Sequence, residues 1–205
     1  MPRTKQRERD LRADLALKRG PMTTVGLGTA RVPFTDAAGS QHAWTFDLDL
    51  HMGMTVGARF AYARVSGELQ SLFSSRVVHV DVNGRVEAGL RLGPLTLGAV
   101  GVLGVVGGKL EETDWARRST YAGYGARAQL LVKKVGVELV GLHQPELGDD
   151  MTVTSARAEA QLFWAPQTGT RLYLKTRIHS RSDLRDVLDA DDKLVAVTLG
   201  AGLDY

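Results

Sequence analysis

Between Trp44 and Tyr62 every second residue is apolar: Trp44, Phe46, Leu48, Leu50, Met52, Met54, Val56, Ala58, Phe60 and Tyr62. Between them lie Thr45, Asp47, Asp49, His51, Gly53, Thr55, Gly57, Arg59 and Ala61. A period of two places the greasy residues on one face of a strand, whereas a helix would scatter them around its circumference. As one strand, at about 3.3 Å per residue, the stretch would run roughly 65 to 70 Å. A three-residue hairpin loop at His51-Met52-Gly53 shortens it without changing the parity, with Gly53 in the left-handed position such loops require. The expectation is therefore two paired strands, Ala43 to Leu50 and Met54 to Arg64.

The same alternation runs through most of the chain. Met22 to Phe34 is a weaker strand candidate, followed by a turn-like stretch from Thr35 to Ser40. Val65 to Arg76 reads as a polar loop. Beyond it Val78, Val80, Val82, Val86, Ala88, Leu90 and Leu92 share one face, and after Gly93-Pro94 the apolar set moves to Leu95, Leu97, Ala99, Gly101, Leu103 and Val105. A two-residue turn demands that shift of parity. A second shift, at Lys133-Lys134, separates Tyr124 to Val132 from Val135 to Leu139. Met151 to Trp164, Arg171 to His179 and Val195 to Tyr205 complete the series. Gly107 to Thr120, Gln144 to Asp150 and Ser180 to Asp192 read as polar loops. The count is ten strands, or eight if the first candidate and the loop at His51 are set aside.

The faces say what kind of object this is. Connections after Leu50, Leu92, Val132 and Trp164 read as short, and those after Phe34, Arg64, Val106, Leu142 and His179 as longer and polar, the layout of an up-and-down transmembrane barrel. The non-greasy face mixes small residues with charges of both signs: Asp47, Asp49, Arg59, Asp81, Arg85, Glu87, Arg91, Arg127, Glu138, Arg157, Glu159, Arg171, Lys175 and Arg177. A solvated sheet would use Lys freely; this face prefers Arg, which suits confined, multiply hydrogen-bonded pairing in a narrow lumen. The apolar face carries Trp44, Tyr62, Tyr124, Trp164 and Tyr205 towards strand ends, where interfacial aromatic girdles are expected.

On these strands, and most specifically on the ending VAVTLGAGLDY, the sequence resembles the bacterial outer-membrane β-barrel proteins from about Met22 to Tyr205. The resemblance implies an all-β, up-and-down antiparallel barrel in the bacterial outer membrane, with the lipid bilayer as partner and the last strand read by the barrel assembly machinery. Residues 1–21 form a basic tail and 22–205 the barrel. No apolar leader is visible at the start. Leu95 to Val106 is too short for a membrane helix, which needs about twenty residues.

Composition narrows the chemistry. With no Cys in 205 residues there are no disulfides, thiolate metal sites or thiol nucleophiles. The net charge of +3 comes from the tail, which argues against a nucleic-acid surface. The histidines, at 42, 51, 79, 143 and 179, lack the spacing of a helical zinc site. Asp189, Asp191 and Asp192 lack the Gly and distal Glu of a loop-type calcium site. Gly98, Gly101, Gly104, Gly107 and Gly108 lack the spacing of a phosphate loop and read as strand glycines. No cofactor or metal is implied.

His179, Ser180, Ser182 and Asp183 are the candidate catalytic set, because some outer-membrane barrel enzymes are similar in using a His, a Ser and a carboxylate near the rim on lipid acyl chains. Adjacent strand residues point to opposite faces, so His179 and Ser180 would meet only across a bend. The leading expectation is a non-enzymatic barrel, either a narrow polar, porin-like passage or a scaffold presenting loops. The alternatives are a lipid enzyme at the rim and a soluble barrel binding a small apolar ligand.

Overall fold

A computed structural model describes residues 18–36, 39–57, 60–75, 77–110, 117–145, 147, 154–165, 170–180 and 194–204. The strands are β1 (Lys18–Asp36), β2 (Gly39–Gly57), β3 (Ala61–Phe73), β4 (Val77–Leu92), β5 (Leu95–Leu110), β6 (Arg117–Val132), β7 (Val135–Pro145), β8 (Thr154–Trp164), β9 (Thr170–Ser180) and β10 (Leu194–Asp204). Each pairs antiparallel with the next, and β10 returns to β1, so the ten strands close into an up-and-down barrel.

The registers fix its dimensions. Stepping across paired residues from Lys18 through Gly57, Tyr62, Gly89, Gly98, Arg127, Val140, Glu159, Arg177 and Ala196 returns to β1 at Ala30, twelve residues further along. For ten strands that stagger sets a tilt of about 40° and a backbone radius of about 10 Å. Inward side chains from opposite walls can meet across such a lumen.

The start of β1 and the end of β10 lie at one end of the barrel, with the connections 58–60, 93–94, 133–134 and 165–169. The far end carries 37–38, 74–76, 111–116, 146–153 and 181–193. The two-residue turns match the strand twist by placing their first residue in the left-handed region, Gly93 at φ 64° and Lys133 at φ 56°. Glycine takes that conformation freely, while lysine costs about 1 kcal/mol. Lys133→Gly is accordingly expected to stabilise the barrel by up to about 1 kcal/mol in urea titration of the lipid-reconstituted chain. An unchanged midpoint would show that the turn holds no such strain.

Four sequence expectations are corrected. There is no hairpin at His51-Met52-Gly53: β2 continues through it, with His51 opposite Glu68 and Met52 opposite Gly67. The turn is at 58–60, where Gly57 pairs with Tyr62, so parity shifts and Tyr62 points inward. The stretch read as a polar loop from Val65 to Arg76 is largely β3, and the far-end connections 37–38 and 74–76 are short. Finally, β1 starts at Lys18 and runs through Gly20-Pro21; β10 pairs with β1 only from Met22 onward, so Pro21 interrupts no bond on that side.

The outer surface of the barrel is apolar and the interior polar. Val25, Leu27, Met52, Val86, Leu103, Leu139, Leu162 and Leu199 are exposed, while Asp47, Asp49, Glu68, Asp81, Arg157 and Arg177 are buried. This is the reverse of a soluble barrel that shelters an apolar ligand. Apolar packing inside is confined to small clusters, among them Ala30, Val32, Ala43, Leu72, Leu194 and Ala196 towards the far end and Val100, Val140 and Leu142 along one wall.

Candidate functional site

The interior is organised by one carboxylate. Glu68, on β3, accepts hydrogen bonds from Arg157 at 2.8 Å and Lys175 at 3.0 Å, and from Arg85 and Arg177. Its side chain is 1 % exposed. An ionised carboxylate stripped of water needs such donors, because nothing else compensates its lost hydration. Around it Glu159 lies 3.0 Å from Arg85, 3.5 Å from Lys175 and against Arg157. Asp49 lies 2.8 Å from Lys175 and 3.5 Å from Arg177, and Asp81 lies 3.5 Å from Arg157. Four carboxylates thus meet four cations.

These groups come from β2, β3 and β4 on one wall and β8 and β9 on the other, so their contacts tie opposite sides of the cylinder together. Neutral partners extend the network: Tyr121 donates to Asp81 at 2.7 Å, Gln70 to Asp47 at 3.1 Å, and Arg85 reaches Asn83 at 3.1 Å. Nearer the terminal end a second node forms. Arg127 bridges Glu87 at 2.9 Å and Glu138 at 2.6 Å, Tyr62 hydrogen-bonds Glu87, and Arg64 bonds Thr55 at 3.1 Å. Arg91 lies over the Tyr62 ring at 5.6 Å and Arg171 over Phe163 at 4.3 Å, both in the range of cation–π attraction.

Interior aromatics fit because glycines leave room for them. Tyr62 lies over the paired Gly89 and Gly98, and Tyr173 over the paired Gly26 and Gly200; a methyl group at any of these four positions would overlap a ring, neighbouring backbone, or both. Phe163 occupies the space above Gly136, and Tyr121 that above Gly104.

The charged residues read from the sequence are distributed as follows. Asp47, Asp49, Asp81, Arg85, Glu87, Arg127, Arg157, Glu159, Lys175 and Arg177 are buried, and Arg91, Glu138 and Arg171 are half-buried. Arg59 lies outside the described residues. Glu68, Arg64, Gln70 and Tyr121 are the members that sequence reasoning missed. For the β3 residues the available signal was the odd-numbered run Ala61, Ala63, Val65, Leu69 and Phe73, broken by Gly67 and Ser71.

Of the aromatics assigned to the membrane interface, Trp164 is exposed at the end of β8 and Trp44 is exposed but lies inside β2, which begins at Gly39. Tyr124 is exposed but stands at the middle of β6, because that strand begins at Arg117; its ring meets His143 at 5.4 Å. Tyr62 is removed from the set, since it is 5 % exposed and held by Glu87 inside. Tyr205 lies outside the described residues.

His179 is buried on the interior face and Ser180 exposed on the outer one, so the two do not form a catalytic pair. Ser182, Asp183, Asp189, Asp191 and Asp192 lie outside the described residues. His51 and His79 also face inward; the side chain of His42 is outside the described set. No group of three or more His, Asp or Glu among the described residues is arranged to hold a metal ion. The glycines from Gly98 to Gly108 lie on β5.

No protein-family model and no curated protein matches the sequence. Among solved structures the chain is similar to the translocator domain of the autotransporter NalP from Neisseria meningitidis, at 10 % identity and a TM-score of 0.44, covering 99 % of this chain and 96 % of that one. It is similar to the anion-selective porin from Comamonas acidovorans at 10 % identity and a TM-score of 0.45, over 93 % of this chain and 100 % of that one. A third likeness is the outer membrane protease OmpT from Escherichia coli, at 7 % identity and a TM-score of 0.42, over 93 % of this chain and 99 % of that one. These are bacterial outer-membrane β-barrels, and the likeness is one of fold.

Proposed function

We propose that the chain is an outer-membrane β-barrel that does not conduct and that acts as a scaffold, presenting surfaces at its far end. The observation that carries this reading is the Glu68 network, which spans the lumen from wall to wall. Beside it a cavity lined by His51, Arg64, Ser66 and Arg85 measures about 20 Å³, room for about one water and no solute. A passage would require these ion pairs to separate in a space with little water to receive them.

The outer face supports the membrane part of the proposal. Trp44 and Trp164 lie near opposite ends of the cylinder and, at the strand tilt and rise, stand about 25 to 30 Å apart along its axis, close to the height of a barrel's lipid-facing band. Between them the exposed residues of β10 are Val197, Leu199, Ala201 and Leu203, which would face lipid and offer the assembly machinery an alternating strand. In planar bilayers the purified chain is expected to give no stepwise current. Discrete, reproducible openings would support a polar passage instead and overturn the scaffold reading.

A further inference from the structure

The outer face of the barrel carries a polar pair at mid-height. Tyr124 on β6 stands opposite His143 on β7, and both point outward. The phenol is 67 % exposed, and its ring meets the imidazole edge-on at 5.4 Å. That contact uses the rings alone. Among the described residues neither the hydroxyl nor the imidazole nitrogens have a hydrogen-bond partner. Val135 pairs with Trp164, and His143 lies eight residues further along β7 towards the far end. At the strand rise and tilt this places the pair about 15 Å above Trp164, half-way to Trp44 and too far from either for the side chains to snorkel to water.

Hydrocarbon offers such groups nothing. A polar side chain in the lipid-facing band forfeits its hydration, and an ionisable residue at that depth marks a functional site by default. The surroundings show what can approach. Beside the pair a groove of about 770 Å³ crosses the outer face from β4 to β9. Small residues in successive registers form its floor: Ala88, Ala99, Ala126, Gly141 and Ala158. On the opposite side of the cylinder β1 and β2 present the bulkier Leu27, Phe46, Met52 and Met54. Small side chains let a second protein come close, and within a bilayer close packing and interchain hydrogen bonds drive association where no hydrophobic effect does.

We infer that this face, centred between β6 and β7, is an interface between two copies of the chain, in which Tyr124 of each hydrogen-bonds His143 of the other. Lipid cannot take the place of the partner, since acyl chains neither donate nor accept at this depth. A second copy supplies both groups required. Two barrels in one membrane point the same way, so a two-fold axis relating them runs along the bilayer normal and keeps heights equal. β6 of each then faces β7 of the other. Because Tyr124 and His143 are register partners, each phenol donor arrives near the level of an imidazole acceptor. The interface holds whether or not the lumen conducts, and needs only that the outer face meets lipid, which arginine substitutions along β5 test separately.

The chain has no Cys, so single introduced cysteines report contact. In lipid vesicles a short bismaleimide is expected to couple copies carrying Ala126→Cys and not copies carrying Leu27→Cys, which lies on the opposite side. Energy transfer between full chains labelled at Lys133→Cys, in the turn joining β6 and β7, gives the dissociation constant as lipid is added. Tyr124→Phe and His143→Leu each remove two symmetry-related hydrogen bonds and are expected to weaken the dimer about tenfold. Ala158→Trp, which fills the groove, is expected to weaken it at least about tenfold, while all three variants keep the heat-dependent gel mobility of a closed barrel. Monomers at the highest protein-to-lipid ratio, equal coupling at the two cysteines, or a dimer indifferent to Tyr124→Phe and His143→Leu would overturn the inference.

Discussion

Glu68→Gln is expected to lower the unfolding free energy of the barrel by about 3 to 5 kcal/mol, the effect of removing one partner from a buried ionic cluster. Glutamine keeps the shape and some hydrogen bonding. It leaves Arg85, Arg157, Lys175 and Arg177 with one negative charge fewer, and these side chains are almost entirely excluded from solvent. Urea titration in lipid vesicles, followed by tryptophan fluorescence and gel mobility, gives the difference. Asp47→Asn is the comparison, because Asp47 accepts from the neutral Gln70 and Thr198 and its change is expected to cost only about 1 kcal/mol. Adding Arg85→Gln to Glu68→Gln restores the balance of charge and is expected to recover part of the loss. If Glu68→Gln unfolds at the wild-type midpoint, the network is not what holds the walls together.

The second large effect is on the outside. Leu103, 57 % exposed near the middle of β5, stands out between the paired Gly84 and Ala122. In water Leu103→Arg would change stability by no more than about 0.5 kcal/mol, the ordinary result on a solvated surface. Against hydrocarbon the same change is expected to cost about 2 to 4 kcal/mol, because the guanidinium must be held near the bilayer midplane. The expected outcome is a loss of that size in vesicles, shrinking as the substitution is moved along β5 towards Leu95 or Val105. A flat profile along the strand would mean that the outer face does not meet lipid.

Much of this arrangement was legible in the chain itself. Strand alternation marked ten segments, although Ala43 to Leu50 lies within β2 and Met54 to Arg64 straddles β2 and β3, and parity shifts at Gly93-Pro94 and Lys133-Lys134 located two tight turns, because a turn of two residues leaves its signature in the pattern. The turn at 58–60 left a weaker one. Apolar residues continue at even positions through Phe60 and Tyr62, so the pattern passes over the turn unbroken, although Tyr62 has already changed sides. That single slip concealed β3, whose outer face is diluted by Gly67 and Ser71, and with it Glu68. The charges of the lumen were visible as a list, but the sequence gives no ranking among them. Glu68 is central because its level on β3 coincides with arginines and a lysine approaching from β4, β8 and β9, a coincidence set by the twelve-residue stagger of the closed sheet.

Tyr173 makes the closure of that sheet self-reporting. Its ring, carried on β9, rests on Gly26 of the first strand and Gly200 of the last, so it bridges the joint between the two strands that lie furthest apart in the described chain. The shelf beneath the ring is complete only after those strands have met. A cylinder still open along that line would leave the phenol half unsupported, and one fully zipped would clasp it from within.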